Sequence, residues 1–237
     1  MQKPQPNTNM KGTLPLGVIY DSLCTLIDEN IEEFYPFLKE AELENKKDGL
    51  IRKVVLEQED DISLTFGRFF RNLGSEFDFE YQSKTPEANA TTDIGIIAKR
   101  RYSPHKVICF VEAKRLPTPP PRSKREETEY VYYKDKVKQG GIERFKTEKH
   151  AGKEKLSFSI MLGYIQKETI EHWYSEVNKW IDGQITNSSN QEISWINQDK
   201  LIHDKTFQRN KVTKYNSTHS RKTLNDLKLL HYWIDLN

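Results

Sequence analysis

Only two cysteines, Cys24 and Cys109, occur in 237 residues. That is too few for a disulfide framework, and it predicts a reducing, cytoplasmic setting. Long apolar runs are also missing. None approaches the roughly 20 residues that cross a bilayer, so no membrane partner is expected. The histidines, His105, His150, His172, His203, His219 and His231, include no pair at zinc-helix spacing, and there is no Cys-x-x-Cys; the usual structural zinc patterns are excluded. No glycine-rich loop ends in Gly-Lys-Ser/Thr, and Gly140-Gly141 alone is not such a loop, so nothing predicts ATP hydrolysis. Residues 1–11 are rich in Gln, Asn, Lys and Pro without the apolar centre of a secretory signal, and a disordered tail is expected there.

What remains is a polar, charged chain. Hydrophobic residues make up 35% and charged residues 30%, so much of the surface must be strongly solvated. The length suits one domain over 12–237, with an N-terminal helical elaboration (12–50) and a C-terminal extension (184–237). The net charge of +2 conceals a segregation: residues 1–98 carry 10 Lys/Arg against 18 Asp/Glu, residues 99–155 carry 17 against 8, and residues 156–237 carry 10 against 9. The basic middle third is what a polyanion would meet. The plainer alternative is that Lys99-Arg100-Arg101 and Lys134 to Lys138 are solvated loop and helix surface.

Apolar residues from Tyr20 to Glu44 recur at helical intervals, with Pro36 expected to kink or divide the run. A second helix is predicted from about Asp60, ending at Gly74. Phe77 to Tyr81 alternates like a strand, and Thr85 to Thr91 reads as a turn. Two apolar strands follow, one after Asp93 and one from Val107 to Lys114. Its β-branched, continuous apolar run predicts burial on both faces for the second. Pro117 to Pro121 makes a stiff connection into a charged excursion. Tyr130, Tyr133, Val137, Gly141 and Phe145 share a helical face, although Gly140-Gly141 must either interrupt that helix or serve close packing. Leu156 to Ile165 reads as a strand, and Ile170 to Ile181 as an amphipathic helix stopped by Gly183. Asn187 to Gln191 is a polar turn, while Leu224 to Leu236 fits a helix or a strand equally well.

The chain's main functional clue lies on the two central strands. Glu112 and Lys114, two apart, share a strand face. If a hairpin brings Asp93 beside them, two carboxylates and an ammonium converge at the edge of a buried sheet, an arrangement suited to a hard divalent cation with phosphate and water. Asp93 followed by Glu112-Ala113-Lys114 resembles the PD-(D/E)xK nuclease superfamily in its Glu-x-Lys form, over about residues 55–165; Thr92 stands where that motif has its proline. The resemblance implies an α/β, restriction-endonuclease-like core: a central mixed β-sheet, built of a β-meander plus a further strand, flanked by helices.

It further implies a magnesium-dependent deoxyribonuclease, with Mn²⁺ a substitute. Asp93, Glu112 and the backbone carbonyl of Ala113 would hold the metal, and Lys114 would orient the nucleophile and offset charge on phosphorus. A helix glutamate often assists in the family. Glu59 is the candidate, with Glu57 and Asp60 as alternatives, although this acidic cluster also suits a helix N-terminus. Gln139 resembles a glutamine of several branches, and Arg144 is placed to meet a phosphate; both also suit an exposed helix face. Lys99, Arg100, Arg101 and Arg115 complete the expected nucleic-acid contacts. DNA is the expected partner, with RNA left open, in restriction, phage defence or DNA repair. A homodimer, or a partner subunit of a defence or restriction system, is compatible with this. The rival reading is a catalytically inactive nuclease-fold subunit that binds DNA or serves assembly.

Overall fold

The computed structural model describes residues 16–47, 58–83, 92–99, 107–118, 125–134, 139–150, 156–187 and 193–237. Their strands, β1 (Phe77–Tyr81), β2 (Ile94–Ala98), β3 (Val107–Leu116), β4 (Phe158–Ile165), β5 (Ile202–His203), β6 (Val212–His219) and β7 (Leu227–Asp235), form one mixed sheet. Its order is β1-β2-β3-β4-β7-β6-β5. β1 to β3 are an antiparallel meander, β3, β4 and β7 run parallel, and β6 and β5 return antiparallel. The parallel strands sit centrally, and every residue of β4 is buried, as continuous apolar strands covered on both faces require.

Helices supply those covers. α1 (Leu16–Asn30), α2 (Phe34–Lys47) and α3 (Glu59–Asn72) pack Leu23, Ile27, Phe34, Phe66 and Phe70 against one face, through Phe79, Ile96, Val111, Ile160 and Tyr232. On the other face α4 (Gly141–Lys146) and α5 (Ile170–Thr186) place Phe145, Trp173, Val177 and Ile181 against Phe110, Met161 and Trp233. The fold is thus α/β, a seven-stranded mixed sheet flanked by helices. No helix among the described residues is long and apolar enough to cross a membrane, and both cysteines are free thiols.

Several local expectations change. Pro36 does not divide the first helical run: the break is a 3-10 turn at Ile31–Glu33, and Pro36 falls in the first turn of α2, where its missing N–H is not needed. Among the described residues the helical face read from Tyr130 to Phe145 is helical only from Gly141, so the interruption left open at Gly140-Gly141 is what occurs. A 3-10 turn occupies Glu127–Tyr130, and α4 begins only at Gly141. A Cβ at Gly140 would lie 2.4 Å from the Tyr132 nitrogen, and one at Gly141 would lie 3.0 Å from the Tyr130 carbonyl. The two glycines therefore let the chain fold back against residues 130–132. Gly183 does not stop α5, which runs to Thr186.

Leu224 to Leu236 resolves as strand β7, between β4 and β6. The segment 184–237 is thus no appendage, because it supplies three of the strands, one of them central. β6, for which no strand was expected, buries Val212, Lys214, Tyr215, Ser217 and His219 and leaves the residues between them partly buried. The excursion at 119–124, the nominal turns at 85–91 and 188–191, and Arg100, Arg101 and Glu57 lie outside the described residues.

Candidate active site

β3 outlasts its neighbour. β2 begins at Ile94, opposite Val111, whereas β3 continues to Leu116. Alternate residues of a strand turn their N–H and C=O toward the same neighbour, so Ala113 and Arg115 face the space that β2 does not cover. Carboxylates take both amides. Ala113 N–H donates to Asp93 Oδ2 at 2.6 Å, and Arg115 N–H donates to Glu59 Oε2 at 3.0 Å. Asp93 is carried there by the β1–β2 ladder, where its own carbonyl accepts from Gln82 N at 2.7 Å. Glu59 is the first residue of α3, on the far face of the sheet, and reaches across the uncovered edge.

Glu112 and Lys114 project from the α4 face and are 0% and 3% exposed. Lys114 Nζ lies 2.8 Å from Glu112 Oε1 and 3.3 Å from Glu59 Oε1, and donates to the Ala113 carbonyl at 2.7 Å. Arg144 Nη1 donates to the same Glu112 Oε1 at 2.6 Å. His150 Nε2 lies 3.3 Å from Glu112 Oε2, yet Glu112 Oε2 and His150 Nδ1 are buried with no hydrogen-bond partner. Arg125 bridges Glu59 and Glu129, with Nη2 2.8 Å from Glu59 Oε2 and Nε 2.5 Å from Glu129 Oε2. The least enclosed cations are Arg144 and Arg125, with side chains 31% and 21% exposed.

Arg144 and His150 owe their positions to α4, which a buried chain of hydrogen bonds anchors. Lys146 Nζ donates to Asp199 Oδ1 at 2.6 Å. Trp233 Nε1, a donor only, donates to Tyr130 Oη at 2.8 Å. That fixes the direction of the rest: Tyr130 donates to His231 Nδ1, His231 Nε2 to Ser217, Ser217 to His219 Nε2, and His219 Nδ1 to Asp199. Burial holds His231 well below its usual value and lowers His219 against the pull of Asp199. Asp199 stays below the usual carboxylate range, because His219 and Lys146 outweigh its desolvation. The chain therefore carries neutral imidazoles from the Trp233 indole to the Asp199 carboxylate, which Lys146 also pairs.

The potential in the site is uneven. Burial acts to raise Glu112, but Lys114, His150 and Arg144 overcome it and hold its carboxyl at about 2. Burial, then the Glu112 charge, pushes Asp93 up to about 8; the residue keeps partial surface exposure while its carboxyl is enclosed. Burial lowers Lys114, yet Glu112, Glu59 and Asp93 hold it far above the usual lysine range. Burial lowers His150 to about 4.

Of the residues singled out from sequence, Asp93, Glu112, Ala113, Lys114, Glu59 and Arg144 meet at this edge, with the Arg115 amide. Gln139 is set to one side: its Oε1 accepts from Thr147, and its carbonyl accepts from Arg144 Nε. Lys99 follows the far end of β2, about 20 Å of strand from Asp93, and donates to the Ser75 carbonyl. Asp60 is exposed one residue into α3. His150, Arg125 and Glu129 had no signal in sequence, since none stands at a motif spacing.

No three His, Cys, Asp or Glu side chains among the described residues form a ready metal cage. The donors do suit a hard divalent cation: Glu112 offers a buried oxygen without a partner, Asp93 brings a second carboxylate against the Ala113 amide at 2.6 Å, and the Ala113 carbonyl, which holds an ammonium at 2.7 Å, adds a third oxygen. Comparison with protein-family models, curated proteins and solved structures finds no match to this chain.

Proposed function

We propose that this chain is a divalent-cation-dependent nuclease with a restriction-endonuclease-like core, hydrolysing phosphodiester bonds of DNA. The observation that carries the reading is the meander edge, where Asp93, Glu112 and Lys114 converge and Glu112 Oε2 remains buried without a partner. Asp93, Glu112 and the Ala113 carbonyl are the groups that would hold Mg²⁺, or Mn²⁺ in its place. Such a cation, when bound, supplies Lewis acidity toward the phosphoryl group and a nucleophile at neutral pH.

The chain's own residues do the positioning. Lys114, clamped by Glu112, Ala113 and Glu59, offers a fixed positive charge to the attacking water and to the crowded phosphorus, where negative charge grows. Glu59 is a positioning residue for that ammonium. Arg144, partly exposed, is free to exchange Glu112 for a substrate phosphate. Phosphate contacts read DNA and RNA alike, so DNA is the narrower claim; restriction, phage defence or repair, as a homodimer or with a partner subunit, is the proposed setting.

A second reading, an inactive nuclease-fold subunit that binds DNA or serves assembly, is favoured by one observation. Lys114 and Arg144 already neutralise Glu112, so the pocket is balanced without a metal. Nicking of supercoiled plasmid in Mg²⁺ or Mn²⁺ separates the two. Wild type should cut, and Glu112→Gln and Lys114→Met, checked for folding by circular dichroism, should lose at least about 100-fold in rate. Unchanged cutting by Glu112→Gln discards the site, and a wild type that binds DNA without cutting it in either metal supports the second reading.

A further inference from the structure

Hydrogen bonds do not account for the contact between Glu112 and His150. Arg144 Nη1 approaches His150 Nε2 at 3.4 Å. We assign the tautomer from this contact: a guanidinium has donors only, which puts the lone pair on Nε2 and the ring proton on Nδ1, a buried atom without a partner. Glu112 Oε2, also buried and unpartnered, lies 3.3 Å from that same Nε2. In that tautomer two lone pairs stand near contact distance in an enclosed place.

Coordination chemistry gives that spacing a meaning. Two ligands 2.0–2.2 Å from one ion are about 3 Å apart at an octahedral right angle and about 3.4 Å apart at a tetrahedral angle. The 3.3 Å separation falls between these values. A positive charge is already close by: Arg144 Nη1 is 2.6 Å from Glu112 Oε1 and 3.4 Å from His150 Nε2. Its side chain is 31% exposed and has room to withdraw.

We propose that His150 Nε2 is a nitrogen ligand of the cation that Glu112 holds, so that the site prefers a first-row transition ion to Mg²⁺. The inference rests on the reading that Glu112 binds a cation. Preference follows from ligand chemistry: imidazole lies outside the oxygen set that Mg²⁺ demands, whereas transition ions accept it. It also gives a reason for a buried histidine beside a carboxylate that already has two cationic partners.

The test uses full-length protein and Mn²⁺ alone. Electron spin-echo spectroscopy of the Mn²⁺-loaded wild type should show histidine nitrogen coupling, assigned by ¹⁵N-histidine labelling. His150→Gln, with His150→Ala as a second variant, should lose that coupling and bind Mn²⁺ at least about tenfold more weakly by calorimetry, with Mg²⁺ affinity little changed. Mn²⁺ bound to wild type without nitrogen coupling overturns the role of His150 and leaves the cation reading of Glu112 intact. A wild type that binds no Mn²⁺ removes both. Nitrogen-coupled Mn²⁺ held at full affinity by Glu112→Gln puts the imidazole on some other cation and ends the inference.

Discussion

A Cβ added at Gly163 would lie 2.4 Å from Trp233 Cδ1 and 2.8 Å from its Nε1. Trp233 has little freedom to yield: its Nε1 donates to Tyr130 Oη at 2.8 Å, and the two rings meet edge to face at 5.7 Å. Gly163→Ala should therefore cost about 1–3 kcal/mol, as overpacking in a close-packed core does, read from urea unfolding. A loss within error would mean that the indole can pivot off its partner. The same scale shows what sequence can disclose about the site. Glu112 and Lys114 were legible because the two-residue period of a strand fixes their shared face, and Asp93 followed once a hairpin was assumed. His150 was not legible. It reaches Glu112 only through the fold-back at Gly140-Gly141 and the Lys146–Asp199 anchor, neither of which leaves a local period.

Elements were legible where apolar residues mark the buried face. α3, β1, β3 and β4 follow that pattern closely. β6 does not, because Lys214, Ser217 and His219 are among its buried residues: Lys214 pairs with Asp28 at 2.6 Å, and Ser217 and His219 belong to the buried hydrogen-bonded chain. Polar partners make these positions habitable, and a hydrophobicity pattern cannot register them. α5 failed in the opposite way, since Gly183 looks like a terminator but lies within the helix, with nothing inside 4 Å of an added Cβ. Gly183→Ala should therefore stabilise the protein by about 0.5–1 kcal/mol through helix propensity and lower unfolded-state entropy, a rise of a few degrees at most in melting temperature. A fall would show that the helix needs the glycine for a reason other than space.

Across the whole molecule, the charge segregation of the sequence is partly undone in space. Lys114 and Arg125 from the basic third meet Glu59 from the acidic third, and Lys146 meets Asp199; some of the positive excess neutralises buried carboxylates and is not available to a polyanion. The resulting interior responds to pH in two opposed ways. His150, His219 and His231 are all lowered from 6.5 by burial, His150 to about 4. As pH falls through about 6.5, the unfolded chain takes up protons that the folded chain refuses. Stability should therefore drop on the acid side, each of the three histidines adding to the slope. Asp93, raised from 3.8 to about 8, has the other sign: its contribution is full below the ordinary carboxylate range and is lost progressively as pH rises toward 8. In metal-free buffer, stability should therefore peak near pH 6.5, falling steeply on the acid side and by at most about 2 kcal/mol toward pH 8. Urea unfolding across pH 5 to 8.5 measures both limbs. Asp93→Asn, which cannot titrate, should abolish the alkaline decline and keep the acid one. A wild type equally stable at pH 6.5 and pH 8 would mean that Asp93 is already ionised in the folded protein, with Lys114 shared between both carboxylates.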